Sequence, residues 1–160
     1  LRFGSVLAAK AIDNGLAVET LVLWNPVICG SKYLTSLKKM NQKALIEEKR
    51  TYPYPSDEQL GADNNEILGF YYTEEIQKEI ESSQLMNAIF QYCRNIAITS
   101  SHDDDEFLFF LSSLKSRFPT AEYHLLKENV DWYDFQQFQN AILPSEMILK
   151  ISSLIEGVTT

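Results

Sequence analysis

No apolar run in this 160-residue sequence approaches the ~18–20 residues needed to span a bilayer. Its first residues also lack the basic-then-apolar layout of a secretory signal. Positive charge is scarce. Fourteen Lys and Arg stand against 22 Asp and Glu, a net charge of −8, and the acids are spread over several segments. Nucleic acid and anionic membrane surfaces both reward clustered Lys and Arg, so neither is an expected partner. The two cysteines, Cys29 and Cys93, are far apart and fit no metal-binding spacing. Two partly buried thiols in a reducing cytoplasm are expected, rather than a disulfide framework. Only two histidines, His102 and His124, are available for acid–base work. There is no internal repeat, no low-complexity tract and no cofactor motif.

With 45% apolar residues the chain has the composition of a globular protein and the length for one real core. Taken in order, Gly4 opens a helical run in which Phe3, Val6, Leu7, Ala11 and Ile12 can share a face, stopping at Asn14-Gly15. Leu21-Val22-Leu23-Trp24 is continuously apolar and β-rich, as in a strand buried on both faces of a parallel sheet, and Pro26 ends it. Ser31 to Arg50 reads as a long polar helix with Tyr33, Leu34, Leu37 and Met40 on one side. Thr51-Tyr52-Pro53-Tyr54-Pro55 breaks it ahead of an acidic loop, Asp57 to Asn65. After Leu68-Gly69-Phe70-Tyr71-Tyr72, a charged helix runs from Thr73, its N-cap, to about Ser82. About sixty residues between two strands is far beyond an ordinary connection, so an inserted cap or lid is expected.

The sheet resumes at Asn95 to Ser100. A loop, Ser101-His102-Asp103, leads to a helix from Asp104 to Phe118, with Phe107, Phe110, Leu111, Leu114 and Phe118 at helical spacing. Ala121 to Leu126 is a further strand, and Pro144 to Ile155 is a closing amphipathic helix. The expected class is α/β, with about three parallel strands flanked by helices. The divisions are 1–27 for the corner helix and first strand, 28–92 for the helical insertion, and 93–160 for the remaining core.

This order of helix, strand, long insertion, strand, acidic loop, helix, strand and closing helix resembles the C-terminal half of the α/β-hydrolase fold. Leu1-Arg2-Phe3-Gly4, then Leu21 to Val27 with Gly30 and Tyr33-Leu34, and Leu68-Gly69-Phe70 resemble a bacterial subgroup within it. These are the hydrolase-like proteins associated with exosortase and exopolysaccharide gene clusters, relatives of the serine aminopeptidase-like hydrolases. Such proteins carry a G-x-S-x-G nucleophile elbow between a strand and a helix. The resemblance implies that Gly4 is the closing glycine and that a strand precedes the chain, which then reads as part of a longer protein. A frayed helix start at Leu1-Arg2-Phe3 is the other reading.

By the same resemblance the nucleophile position falls on Arg2, the triad acid on Asp104 (Asp103 or Asp105 by register), and the histidine position on Asp131. An arginine cannot act as the nucleophile, because it does not lose its proton at useful pH and carries no hydroxyl or thiol. A complete Ser-His-Asp relay is therefore not expected. Arg2 can bind a carboxylate, phosphate or sugar acid over a helix N-terminus, or can pair structurally with an acid such as Asp104. Trp132, in the aromatic stretch Trp132 to Phe138, can line a ligand pocket or cover a sheet edge. Ser5 is a displaced nucleophile or, more simply, part of the helix start. Asp103 with Glu106 suits a capping box, and the Asp103-Asp104-Asp105 run alone is weak evidence for a cation. His124 packs on, or points from, a strand face.

Two functions follow as expectations. One is a catalytically impaired hydrolase-like cytoplasmic protein with a binding or assembly role, whose partner is a small molecule, an acyl or sugar ligand, or a protein. The other is a working ester, thioester or peptide hydrolase whose nucleophile lies at an unrecognised residue or in a preceding half.

Overall fold

The apolar runs that read as strands join in one parallel sheet. The computed structural model describes residues 2–51, 65–101, 103–126 and 145–156, with side chains for all of these except 45–51 and 156. They form two compact units, one holding residues 2–29, 84–126 and 145–156, the other Gly30–Ser83.

In the first unit α1 (Gly4–Asp13) leads through Gly15, at φ +105°, to β1 (Val18–Trp24). After the second unit come a short 3-10 turn (Leu85–Asn87), then β4 (Cys93–Ser100), α4 (Asp105–Arg117), β5 (Glu122–Leu125) and α5 (Ser145–Glu156). The sheet order is β1-β4-β5, all parallel, with Leu23 opposite Ile98 and Ile98 opposite Tyr123. Parallel neighbours need crossover connections, and helices supply them. The α/β class with three parallel strands flanked by helices is thus what this unit has.

Continuous burial belongs to β4 rather than β1. From Ile96 to Ser100 every residue of β4 is buried, because a strand lies on each side of it and helices cover its faces. In β1, Leu21 and Leu23 are buried while Val22 and Trp24 are half-buried. Helix α1 also differs from the expected face: Val6, Ala9 and Ile12 go inward, whereas Leu7 is 56% exposed. The i, i+3, i+6 stripe through Val6 points one way, and Leu7 lies about 100° around from it.

Helix α4 buries Phe107, Phe110, Leu111 and Leu114, and the Phe107 ring packs on Tyr123 of β5 at 5.5 Å between centroids. Phe118 ends the helix with its ring edge-on to Phe90. The loop before β4 is tied to the end of α1, since the Asp13 carboxylate accepts from the backbone N–H groups of Ile89 (3.0 Å) and Phe90 (2.7 Å). Helix α5 lies against β1 and β4 and buries Met147.

The cysteines are both thiols, half-buried at Cys29 and buried at Cys93. Burial pushes the Cys93 thiol above its usual 9.0, only partly opposed by hydrogen bonds with the Leu21 and Asn95 backbone. A raised value means that folding favours the neutral thiol. That stability is present below about pH 9 and is lost as pH climbs through the raised value. Urea titrations between pH 7 and 10.5 should show an alkaline loss of stability that is smaller in Cys93→Ala. A maleimide should label Cys29 well before Cys93.

The second unit has α2 (Gly30–Thr51), a hairpin of β2 (Glu66–Ile67) and β3 (Phe70–Tyr71), and α3 (Glu74–Ser82). Leu34, Leu37, Met40 and Ala44 of α2 are buried, as are Ile67 and Ile80. Thr73 caps α3 as expected, its hydroxyl accepting from Ile76 N–H. The turn Leu68-Gly69 has φ +53° and +79°, the two left-handed residues of a type I′ hairpin turn. Asn41 of α2 holds it: its amide donates to Glu66 C=O at 3.2 Å and its oxygen accepts from Leu68 N–H at 2.9 Å. Among the described residues no helix is long and apolar enough to cross a membrane.

Candidate functional site at the carboxyl ends of the strands

In a parallel α/β sheet, ligands sit in the crevice beyond the carboxyl ends of the strands. At that end of β1 and β4 the first unit gathers Arg2, Asn25, Ser101 and the aspartates ahead of α4. Arg2 is left-handed, at φ +49°, and forms the corner from which α1 springs. Its N–H donates to Trp24 C=O at 2.8 Å, and its own carbonyl accepts from the N–H of Ser5 at 3.0 Å and of Val27 at 3.4 Å. A non-glycine residue in this conformation costs on the order of 1 kcal/mol, so the surroundings must impose it. Four hydrogen bonds do so here, the last from the Ser5 hydroxyl to the Arg2 carbonyl. Ser5 is buried and its hydroxyl is spent on that carbonyl, in keeping with a role at the helix start. A Cβ added at Gly4 would meet nothing within 4 Å, so packing among the described residues does not require that glycine.

Asn25 ends β1 and was not singled out in the sequence. It too is left-handed, at φ +41°. Its N–H donates to Thr99 C=O at 2.8 Å. Its side-chain oxygen accepts from the Ser101 N–H at 2.8 Å and the Ser101 hydroxyl at 3.2 Å, bracing the loop after β4 against the end of β1. The Nδ2 group of the same carboxamide is buried with no hydrogen-bond partner. A buried donor left this way costs about 1–3 kcal/mol, which makes Asn25 a strained and under-satisfied residue at a sheet end. The available signal was an Asn between a buried strand and Pro26; Asn is enriched at positive φ.

The three aspartates do different work. Asp104 is the N-cap of α4, its Oδ1 accepting from Phe107 N–H at 2.8 Å. The expected cap from Asp103 with Glu106 is therefore displaced by one residue, because three consecutive aspartates offer the helix three equivalent starts. Asp105 and Glu106 then occupy the first turn, where the helix dipole favours acids. Asp103 is exposed, yet its charge reaches Tyr123. Burial pushes the Tyr123 phenol above 10.0 and the negative Asp103 adds to the rise. The Tyr123 hydroxyl is buried without a hydrogen-bond partner.

His124 is half-buried on β5, with Nε2 3.1 Å from Glu122 Oε2 on the same strand face. Asp131, Trp132 and His102 lie outside the described residues. Among the described residues no three His, Cys, Asp or Glu side chains converge as metal ligands. One cleft, about 500 Å³ and bordered by Thr20, Asn95, Glu122 and Leu154, lies toward the amino ends of the strands. It is thus at the opposite edge from Arg2 and Asn25.

Among the described residues, the end of the sheet therefore brings together the left-handed backbone corner of Arg2, a carboxamide whose buried amide nitrogen has no acceptor, and an acidic loop in which Asp104 caps the helix. Of the described residues at this corner, the Ser5 hydroxyl is engaged by the Arg2 carbonyl and the Ser101 hydroxyl by Asn25. Compared with known proteins, the chain matches no family model, no curated protein and no solved structure.

Proposed function

We propose that this chain is a non-catalytic α/β-hydrolase-like protein that uses its elbow to bind a small acid instead of to cleave an ester. In this reading β1, β4 and β5 are the last three strands of a hydrolase sheet, Gly30–Ser83 belongs to a cap inserted after the first of them, and α1 is the elbow helix. The observation that carries it is Arg2 itself, a left-handed residue hydrogen-bonded to the end of β1 and separated from α1 only by its N-cap, Phe3. A nucleophile elbow displays its residue in this kind of strained turn between strand and helix. With arginine there, the positive charge and the N-terminus of α1 favour an anion, and the arginine itself cannot attack a carbonyl.

Asp104, at the acid position, caps α4, and Asp131 stands where the histidine would be. The arginine at the nucleophile position and the missing histidine are the two departures that argue for lost catalysis, whereas Asp104 keeps the residue type of the acid. By the same resemblance Trp132 is proposed as a ligand-binding residue. The ligand is a small molecule bearing an acyl or sugar-acid group, and the role is binding or assembly in the cytoplasm, in line with the resemblance to exosortase- and exopolysaccharide-associated proteins.

Hydrolysis of p-nitrophenyl acetate, butyrate and octanoate tests this directly. The natural chain should run at the rate of an equal amount of serum albumin or below. Saturable turnover that is abolished by changing one serine of this chain would refute the proposal.

A further inference from the structure

We infer that the β2–β3 hairpin is a docking surface for an arginine-bearing segment of another protein, Phe70 and Tyr71 offering ring faces to its guanidinium groups and Glu66 taking their charge. The surface lies within Gly30–Ser83 and draws on neither Arg2 nor a hydrolase-like site, so it goes beyond the proposed function and is tested separately from it.

A two-stranded hairpin alone is at best marginally stable, and here each strand has only two residues. Side chains of both helices of the unit hold it in one shape. From α2, Asn41 donates to Glu66 C=O and accepts from Leu68 N–H, so both arms of its carboxamide are spent on the turn. From α3, the Gln77 amide donates to the Asn65 side-chain oxygen and to Tyr72 C=O, each at 3.0 Å, at the open end of the hairpin. The Tyr72 N–H closes the same end on Asn65 C=O at 2.6 Å. What this frame displays is aromatic: Phe70 is 69% exposed and Tyr71 is 62% exposed. Single exposed apolar residues are ordinary. Two adjacent rings on a braced tip are not, in a unit that buries Ile67 and Ile80 without them. Aromatic side chains on a pre-fixed frame lose little freedom on binding, which is how rigid anchors gain affinity.

Charge selects the partner. From Asn65 to Ser83 there are five acids, Glu66, Glu74, Glu75, Glu79 and Glu81, and one base, Lys78. All six are exposed, and Lys78 lies 3.6 Å from Glu74, offsetting that charge. Glu66 stands directly opposite Tyr71 in the hairpin, where two side chains meet on one face. A carboxylate beside an exposed ring suits a guanidinium, which stacks on the aromatic face while its N–H groups bond the carboxylate. An ammonium suits it less, being a compact and more strongly hydrated charge. Acidic peptides, nucleic acid and anionic lipid are repelled by the same field. Consecutive strand residues point to opposite faces, so Phe70 and Tyr71 together fit a segment with more than one arginine.

The test titrates the whole 15N-labelled chain, at constant ionic strength, with an octapeptide of alternating glycine and arginine. Counterparts with lysine or glutamate in place of arginine run alongside. The arginine peptide should shift the amides of residues 66–72 along one saturation curve and bind about fivefold more tightly than the lysine peptide. The glutamate peptide should not bind. Phe70→Ser combined with Tyr71→Ser should weaken arginine-peptide binding about tenfold, and Glu66→Gln should weaken it about threefold. None of these changes touches a buried side chain. Should the double variant fail to fold, Glu66→Gln and the shift map of the natural chain decide. Shifts centred elsewhere, equal affinity for the lysine peptide, saturable binding of the glutamate peptide, or unchanged affinity in the folded double variant would overturn the inference. A dimer of the natural chain in analytical ultracentrifugation that the double variant dissolves would also overturn it, because a second copy would then cover the hairpin. No result here bears on Arg2, so the binding function proposed for that corner survives or fails on its own test.

Discussion

Gly30→Ala is expected to cost about 3 kcal/mol or more and to loosen α3 from the start of α2, because the clash is with backbone. Gly30 begins α2, and its N–H donates to Ser83 C=O at 2.9 Å, so the last turn of α3 lies directly on it. An added Cβ would overlap the Ile80 carbonyl and press on the Ser83 carbonyl. Neither atom is the end of a flexible side chain that can swing aside; to admit the methyl, one helix must move off the other. The burial of Leu34, Leu37, Met40 and Ile80 within this unit would suffer with it. Gly4→Ala is the control. A Cβ there meets nothing within 4 Å, and the first helical position gains from alanine, so a stabilisation of about 0.5–1 kcal/mol is expected. Chemical denaturation of the two variants, followed by far-UV circular dichroism, checks the pair. Equal effects would contradict the close approach of α3 to Gly30.

Phe110→Ala should cost about 3–5 kcal/mol, while Phe109→Ala, one residue away, should change stability by less than about 0.5 kcal/mol. Phe110 is 0% exposed and Phe109 is 67% exposed. The same deletion therefore removes a fully buried ring in one case and a solvated one in the other. Leu114, one turn further along α4, is likewise fully buried, and the ring of Phe107 packs beside that of Phe110 at 6.5 Å between centroids. The loss of the ring's transfer energy and the cavity it leaves both enter this cost. Thermal melts of both variants read the difference as a large drop in Tm for Phe110→Ala alone.

The parts of the fold that were legible in the sequence are those specified locally. Helical spacing of Phe107, Phe110, Leu111 and Leu114 gave α4 its buried face, and Thr73 ahead of two glutamates marked the start of α3. The β-rich runs around Leu21 and Ile96 marked two strands, although both begin earlier, at Val18 and Cys93, because ladder partners extend pairing past the apolar stretch. What was not legible depends on distant partners. The hairpin at Leu68-Gly69 lacks the Asn-Gly signal of a type I′ turn; a side chain 27 positions before Leu68, that of Asn41, fixes it instead. The cap of α4 was placed one residue early, since nothing in Asp103-Asp104-Asp105 distinguishes one aspartate from the next.

The site follows the same rule. Arg2 stood out because the resemblance to a G-x-S-x-G elbow, with Gly4 as the closing glycine, puts it at the nucleophile position. Asn25 did not, because its meaning lies in hydrogen bonds to Ser101, 76 residues later, and in a donor that those bonds leave over. Tyr123 is similar: a tyrosine in a short strand is ordinary until its hydroxyl is found buried near Asp103. Sequence patterns encode which face of an element is wet, and they say little about which polar group a third element will meet.

The most direct test of the account is labelling with a fluorophosphonate serine-hydrolase probe, followed by mapping of any modified peptide, on the natural chain and on Arg2→Ser. No labelling of the natural chain above its heat-denatured background is predicted, with any gain in Arg2→Ser confined to residue 2. Labelling of the folded natural chain at a single serine, Ser5 or Ser101 for example, would contradict it and make this protein a working hydrolase.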